Sequence, residues 1–252
     1  MSRILVVAGT DSSGGAGMSR DIAMAESLNC SVAPVVTAVT VQTNRALIDI
    51  QPISPELIAA QVKAAFDPGG QPPKAIKIGM IGTPEAAVRL AQSLPGGLPI
   101  VLDPVLKSSS GGRLMSLQSL APLLPKVTLL TPNLEESARL SGCVFYPEEP
   151  PDLPQIKSQA QKILARGVAA VLIKGGHGHG ASSVDHLFTT TSHQAFSAPR
   201  LAGSKRGTGC SLATALTCAL AQGRSVEEAC AQAKTQIGLW LSQTNSDGSP
   251  SP

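Results

Sequence analysis

The order of apolar runs and helical stretches predicts an α/β protein whose mostly parallel sheet is covered by helices on both faces. Three observations carry this. Residues 4–8 are continuously apolar (Ile4, Leu5, Val6, Val7, Ala8), as a strand buried on both faces requires, rather than alternating. They lead through a glycine-rich loop into a helical stretch at 18–28, and this alternation of strand and helix continues over about 240 residues. Finally, the polar and glycine clusters fall at strand exits, where such sheets gather ligands beyond their carboxyl ends.

The elements follow in order. Residues 31–41, rich in β-branched side chains, make the next strand, followed by the polar group Gln42, Thr43, Asn44 and Arg45 and a short strand at 47–50. Ser54 and Pro55 provide an N-cap and a first-turn proline for a helix with Leu57, Ile58, Val62 and Phe66 at helical spacing, ended by the break at 69–73. A strand at 75–78 exits through Gly79 and Met80, and Thr83 caps a helix to about Ser93. The strand 98–102 runs into Asp103, Pro104 and Val105, and the serine and glycine run at 107–112 reads as a mobile loop. A mainly helical 114–124, a strand at 126–130, a helix to Ser141 and a proline-rich surface connection at 146–154 come next. Helix 155–166 precedes the apolar strand 168–174, whose exit holds His177 and His179 between glycines; two histidines without a third ligand predict a flap, not a metal centre. An antiparallel pair at 185–191 and 193–199 and a last helix at 226–241 complete one domain over 1–244, with a disordered tail at 245–252.

Composition excludes several functions. Aromatic residues at 2 % leave the core to Ala, Val, Leu and Ile and argue against a base-stacking nucleic-acid surface. A net charge of +3 with scattered Lys and Arg implies no polyanionic partner, though small anions remain suitable ligands. Five cysteines without C-x-x-C spacing read as free thiols of a reducing compartment, and no apolar run approaches membrane-spanning length, so the expected location is the cytoplasm.

The chain is organised around Gly207, Thr208, Gly209 and Cys210, which open a long small-residue helix running to Gly223. A helix N-terminus offers unpaired N–H groups and the positive end of the macrodipole, and glycines beside it let an anion approach the main chain. The same donors are expected to lower the Cys210 pKa below the ~8.5 of a free thiol. Read alone, the stretch fits an ordinary loop-to-helix junction with a buried cysteine equally well. The loop at 9–17 looks like a phosphate cradle, yet matches neither G-x-x-x-x-G-K-[ST] nor a clean G-x-G-x-x-G.

Six motifs in order resemble one family. Gly9-Thr-Asp-Ser-Ser-Gly-Gly-Ala-Gly17, Lys77-Ile-Gly-Met80, Asp103-Pro-Val105, Thr131-Pro-Asn-Leu-Glu-Glu136, Lys174-Gly-Gly-His177 and Gly207-Thr-Gly-Cys210 are similar to the hydroxymethylpyrimidine/phosphomethylpyrimidine kinases of thiamin synthesis, over residues 4–242. The resemblance implies a ribokinase-like three-layer α/β/α sandwich. It also implies an ATP- and Mg²⁺-dependent enzyme that phosphorylates 4-amino-5-hydroxymethyl-2-methylpyrimidine and then its monophosphate, often as a homodimer. It moves the 9–17 loop to the pyrimidine side. Gln42 is implied to bond the aminopyrimidine edge, with Asp11, Ala16, Met80 and Val105 around it. Lys174 is implied to meet ATP phosphate with the Gly207, Thr208 and Gly209 amides, and Asn133, Glu136 and Asp103 to organise Mg²⁺. The Asn133 and Glu136 spacing equally fits a helix N-cap with its capping box.

Where relatives of the wider superfamily carry an Asp base, this chain has Cys210, which suits a site with two acceptors. An alcohol needs a base, whereas a phosphate monoester with its second pKa near ~6 is already anionic and would be repelled by a carboxylate. The chain departs from the family pattern at Ser12 (usually proline), at Ser19 and Arg20, at Arg206 (commonly histidine) and in lacking the usual C-terminal ending. The competing readings are a pyridoxal or pyridoxine kinase and a catalytically weak pyrimidine-binding regulator.

Overall fold

A computed structural model describes residues 1–107, 112, 114–176, 178, 180–201 and 205–243. Residues 108–111 of the loop expected at 107–112, the flap histidines His177 and His179 and the tail at 245–252 lie outside them. The chain runs β1 (Ser2–Ala8), α1 (Gly17–Ser27), β2 (Cys30–Val36), β3 (Ala38–Gln42), β4 (Leu47–Pro52), α2 (Pro55–Ala65), β5 (Ala75–Ile78) and α3 (Pro84–Ser93). It continues β6 (Ile100–Leu102), α4 (Leu117–Leu120), β7 (Leu129–Leu130), α5 (Leu134–Leu140), α6 (Leu153–Leu164), β8 (Val171–Ile173), β9 (Ser182–Phe188), β10 (His193–Pro199), α7 (Thr208–Ala221) and α8 (Val226–Ser242).

Eight strands form one sheet in the order β10-β9-β8-β7-β6-β5-β1-β2. The strands from β2 to β8 pair in parallel and β8, β9 and β10 antiparallel. Both faces are covered, as the unbroken apolar runs require. Along β1, Leu5 and Val7 pack with Ile58, Val62 and Leu90 of α2 and α3, while Ile4 and Val6 face the layer of α1 and α7 with Met18, Ala25 and Cys218. The three-layer α/β/α sandwich is therefore the fold of this chain.

Several expectations shift. Residues 31–41 are not one strand: the chain leaves the main sheet at Thr37, and β3 pairs instead with β4 in a separate hairpin. A period-two pattern does not distinguish a strand that changes sheets. Thr37 marks the switch, its N–H bonded to Ala8 O at 3.0 Å and its hydroxyl to Met80 O at 2.5 Å. The helix expected at 114–124 shrinks to α4 and a 3-10 turn at Leu124–Lys126, because Pro122 and Pro125 interrupt the ladder. The strand expected at 168–174 narrows to β8.

Helix starts divide into two kinds. Ser54, Thr83, Ser116, Asn133, Asp152 and Ser225 cap α2, α3, α4, α5, α6 and α8 through their side chains. Only α1 and α7, among the α-helices of the described residues, begin without a side-chain cap, at Ala16 and Gly207. At α1 the Met18 N–H is taken by Gly9 O at 3.0 Å, whereas among the described residues the first-turn N–H groups of α7 are left for another acceptor; both starts open onto the same cavity.

Candidate active site

The cavity, about 750 Å³, lies beyond the carboxyl ends of β1, β5, β6 and β8. At its centre is the start of α7. Gly207 has φ +76°, and a Cβ there would sit 2.5 Å from Gly15 O, so the turn admits no side chain. At Gly209 a Cβ would lie 3.3 Å from Asp103 Oδ2 and 3.5 Å from Lys174 Nζ. The glycines therefore bring bare backbone against the charged groups at the ends of β6 and β8.

Those groups form an ion pair. Lys174 Nζ lies 2.9 Å from Asp103 Oδ1, with side-chain exposures of 14 % and 3 %, and Thr131 Oγ1 donates to the same carboxylate oxygen at 3.4 Å. Burial alone would lower the Lys174 pKa, but Asp103 and then Glu136 outweigh it, so the ammonium stays above its ordinary value and charged. Glu136 closes a capping box with Asn133: Asn133 N–H donates to Glu136 Oε2 at 2.9 Å and Glu136 N–H to Asn133 Oδ1 at 2.8 Å. The structural reading of that spacing is thus realised. Burial pushes the Glu136 carboxyl up to about 7, partly offset by Lys174. Among the described residues its other oxygen receives only a long 3.4 Å bond from Leu106 N–H.

Cys210 reverses an expectation. Two helix starts do converge on it, since it sits in the first turn of α7 and the Gly17 N–H of α1 donates to its sulfur. Yet its pKa rises to about 11, because burial outweighs the pull of Lys77, while Asp21 and Asp103 disfavour the thiolate further. Desolvation and these two carboxylates outweigh the helix dipole at the thiol.

The residues that the resemblance assigns to the pyrimidine, Asp11, Ala16, Gln42, Met80 and Val105, all line this cavity. Gln42 sits on β3 near the hairpin tip, 8 % exposed, and its side-chain amide makes no hydrogen bond among the described residues. Both carboxylate oxygens of Asp11 are engaged, one by Ser13 N–H and hydroxyl, the other by Arg206 at 3.1 Å.

Sequence reasoning missed the floor of the site. Lys77, in the centre of β5, is fully buried and pairs with Asp21 of α1 at 2.7 Å; Thr214, one turn below Cys210 on α7, donates to the other Asp21 oxygen at 2.8 Å. Burial would lower the Lys77 pKa, but Asp21, Cys210 and Asp103 hold the ammonium well above its ordinary value. A lysine between Ile76 and Ile78 in an otherwise apolar strand was the available signal.

An uncapped helix start facing a lysine-carboxylate pair, at the carboxyl end of a parallel sheet in a ribokinase-like sandwich, defines a small-molecule kinase of that class. Comparison with known proteins narrows this. The chain belongs to the phosphomethylpyrimidine kinase family, whose model matches residues 11–247, and is therefore a phosphotransferase. A hydroxymethylpyrimidine/phosphomethylpyrimidine kinase of Rhizobium meliloti (strain 1021) is 34 % identical over 244 residues, 94 % of this chain and 90 % of the relative. The crystal structure of a phosphomethylpyrimidine kinase from Clostridium difficile 630 superposes with a TM-score of 0.80 at 29 % identity, covering 95 % of this chain and 99 % of that one. The pyridoxal kinase from Staphylococcus aureus in complex with AMP-PCP and pyridoxal gives 0.84 at 29 % identity, covering 98 % and 91 %. No helix among the described residues is long and apolar enough to cross a membrane.

Proposed function

We propose that residues 1–244 form one kinase domain that uses Mg²⁺-ATP to phosphorylate 4-amino-5-hydroxymethyl-2-methylpyrimidine and then its monophosphate, at one site, for thiamin biosynthesis. The observation that carries this reading is the shared cavity, lined together by Gln42, by the uncapped start of α7 and by Lys174. ATP use is supported by the AMP-PCP complex of the similar pyridoxal kinase.

In this reading Gln42 pairs a donor and an acceptor with the aminopyrimidine edge, while Met80 and Val105 pack on the ring. The Gly207, Thr208 and Gly209 amides and Lys174 neutralise charge on the transferring phosphoryl group, where most of the catalysis of such a transfer resides. The donor set suits Mg²⁺, which prefers hard oxygen ligands, keeps several waters and relies on one or two carboxylates plus substrate phosphates. Glu136 and Asp103 would hold it, with Glu136 Oε1 the less engaged oxygen. Asn133 would act by fixing Glu136, because its amide oxygen already caps α5. When bound, Mg²⁺ supplies charge neutralisation.

With its pKa near 11, the Cys210 thiol rests neutral. It therefore sits beside a dianionic monophosphate without repelling it. For the alcohol, the small thiolate fraction that Lys77 favours, formed when the thiol proton passes to solvent, takes the hydroxyl proton and returns to the neutral thiol. Five free cysteines accord with a reducing cytoplasm, and a homodimer belongs to the same reading.

The test is a coupled ADP-release assay with Mg²⁺-ATP and hydroxymethylpyrimidine, its monophosphate or pyridoxal at equal concentration. Turnover of both pyrimidines supports the proposal. Turnover of pyridoxal alone moves the assignment to vitamin B6 salvage, and binding without turnover leaves a pyrimidine-binding regulator.

A further inference from the structure

Two side chains, Ser12 and Arg206, act on the same element, the β3–β4 hairpin that carries Gln42. Among the described residues the hairpin has no strand pairing with the main sheet. At its base, Thr10 N–H donates to Ala38 O at 2.9 Å and Thr40 Oγ1 donates to Thr10 O at 2.8 Å. At Gln42 itself, the Ser12 hydroxyl lies 2.8 Å from the carbonyl oxygen and 2.7 Å from the backbone nitrogen, so it can donate to one and accept from the other. A proline at 12 has no such group.

Arg206 completes the fastening at the tip. Its Nη1 donates to Ser13 Oγ at 2.6 Å, to Asn44 Oδ1 at 3.0 Å and to Thr43 O at 3.4 Å; its Nη2 donates to Asp11 Oδ2 at 3.1 Å. One guanidinium thereby joins three walls of the cavity: the hairpin tip, the 9–17 loop and, through the adjoining Gly207, the start of α7. The Arg206 side chain is 19 % exposed and Asp11 5 %, so the contact is largely withdrawn from solvent. The planar fork reaches these acceptors together, which a lysine point charge cannot reproduce.

We propose that Arg206 and Ser12 are positioning residues that latch the β3–β4 hairpin against the cradle and so set how tightly the acceptor is held by Gln42. The bonds described go to the hairpin and the 9–17 loop and none of them to Lys174, Asp103 or Glu136, so the latch bears first on the acceptor. Asp11 then serves as the anchor of Arg206 rather than as a direct substrate contact. The inference rests on the proposed pyrimidine acceptor for its kinetic reading, but the hairpin's ordering can be measured without any substrate.

The experiment compares the wild-type chain with Arg206→His and Ser12→Pro, which remove the guanidinium fork and the hydroxyl, and with Arg206→Lys and Ser12→Ala. Hydrogen-deuterium exchange of the substrate-free proteins is followed in peptides covering 38–52, and KM is measured separately for the acceptor and for ATP. Expected are at least tenfold faster exchange confined to 38–52 in Arg206→His, a rise of about tenfold in acceptor KM, and an ATP KM within twofold of wild type. Arg206→Lys should lie between. Unchanged exchange at 38–52 in both Arg206 variants, or equal rises in acceptor and ATP KM, overturns the latch. Wild-type protein that turns over neither pyrimidine refutes the proposed function instead, and the exchange result then decides the latch alone.

Discussion

Replacing Lys77 with Met leaves the Asp21 carboxylate inside the protein without its counter-ion. The pair is 2.7 Å apart and neither side chain reaches solvent, so only the Thr214 hydroxyl, at 2.8 Å, would remain as partner. Breaking a fully buried pair from one side costs about 3–5 kcal/mol. For a chain of this length that corresponds to a fall of roughly 6–20 °C in Tm. The loss should depend on pH. Burial raises the Asp21 pKa above its ordinary value of 3.8 even with Lys77 present, and without Lys77 the folded pKa moves higher still. An acid whose folded pKa exceeds its unfolded one binds more protons in the native state, so stability falls as pH rises above the unfolded value. The deficit of Lys77→Met is therefore smallest near pH 4 and grows toward neutrality. Urea unfolding followed by circular dichroism at pH 5 and pH 7.5 measures it. The double variant Lys77→Met/Asp21→Leu, which removes both charges, should recover most of the loss, with Thr214 free to bond the Cys210 carbonyl as Thr217 bonds Ala213 O. A Lys77→Met protein within about 1 kcal/mol of wild type at pH 7.5, or a double variant no more stable than the single, would refute the buried ion pair.

Cys210, with its thiol pushed up to about 11, should react with iodoacetamide at pH 7.5 about two orders of magnitude more slowly than a free thiol of pKa ~8.5. Read by mass spectrometry on the Cys210 peptide, the rate should still be climbing at pH 10; a plateau below pH 9 contradicts the buried, neutral thiol. Cys210→Ala should lower kcat on the alcohol by about 10²-fold, the scale of a lost general base, and on the monophosphate by less than about tenfold. Equal losses on both acceptors would end that division of labour. Gly17→Ala meets both a φ of +60° and a Cβ placed 2.5 Å from Gly9 O, so it should destabilise by at least about 1 kcal/mol in thermal unfolding. A variant as stable as wild type would mean that the loop is not packed as described.

The layers of the fold were legible because strands buried on both faces leave unbroken apolar runs, as at Ile4 to Ala8, and because Ser54, Thr83 and Asn133 announce helix starts chemically. The change of sheet at Thr37 was not legible: β2 and β3 carry the same β-branched composition, and the switch is set by Thr37's tertiary bonds to Ala8 and Met80. In the site, glycine motifs gave the position of α7 and the order of the cavity walls. The Cys210 pKa came out with the wrong sign because the helix dipole is local and visible in sequence, whereas desolvation, Asp21 and Asp103 arrive through packing. Lys77 and Arg206 were visible as residues, but their partners are 56 and up to 195 positions away along the chain, so their roles depend on the assembled sandwich.

The central claim, two successive phosphoryl transfers at one site, is tested most directly by a ³¹P NMR time course of the protein with Mg²⁺-ATP and hydroxymethylpyrimidine. The account predicts that the monophosphate accumulates first and then converts to the diphosphate as a second equivalent of ADP appears, and that Lys174→Ala suppresses both stages together. A time course that stops at the monophosphate with ATP remaining, or a Lys174→Ala protein that loses only one stage, would contradict it.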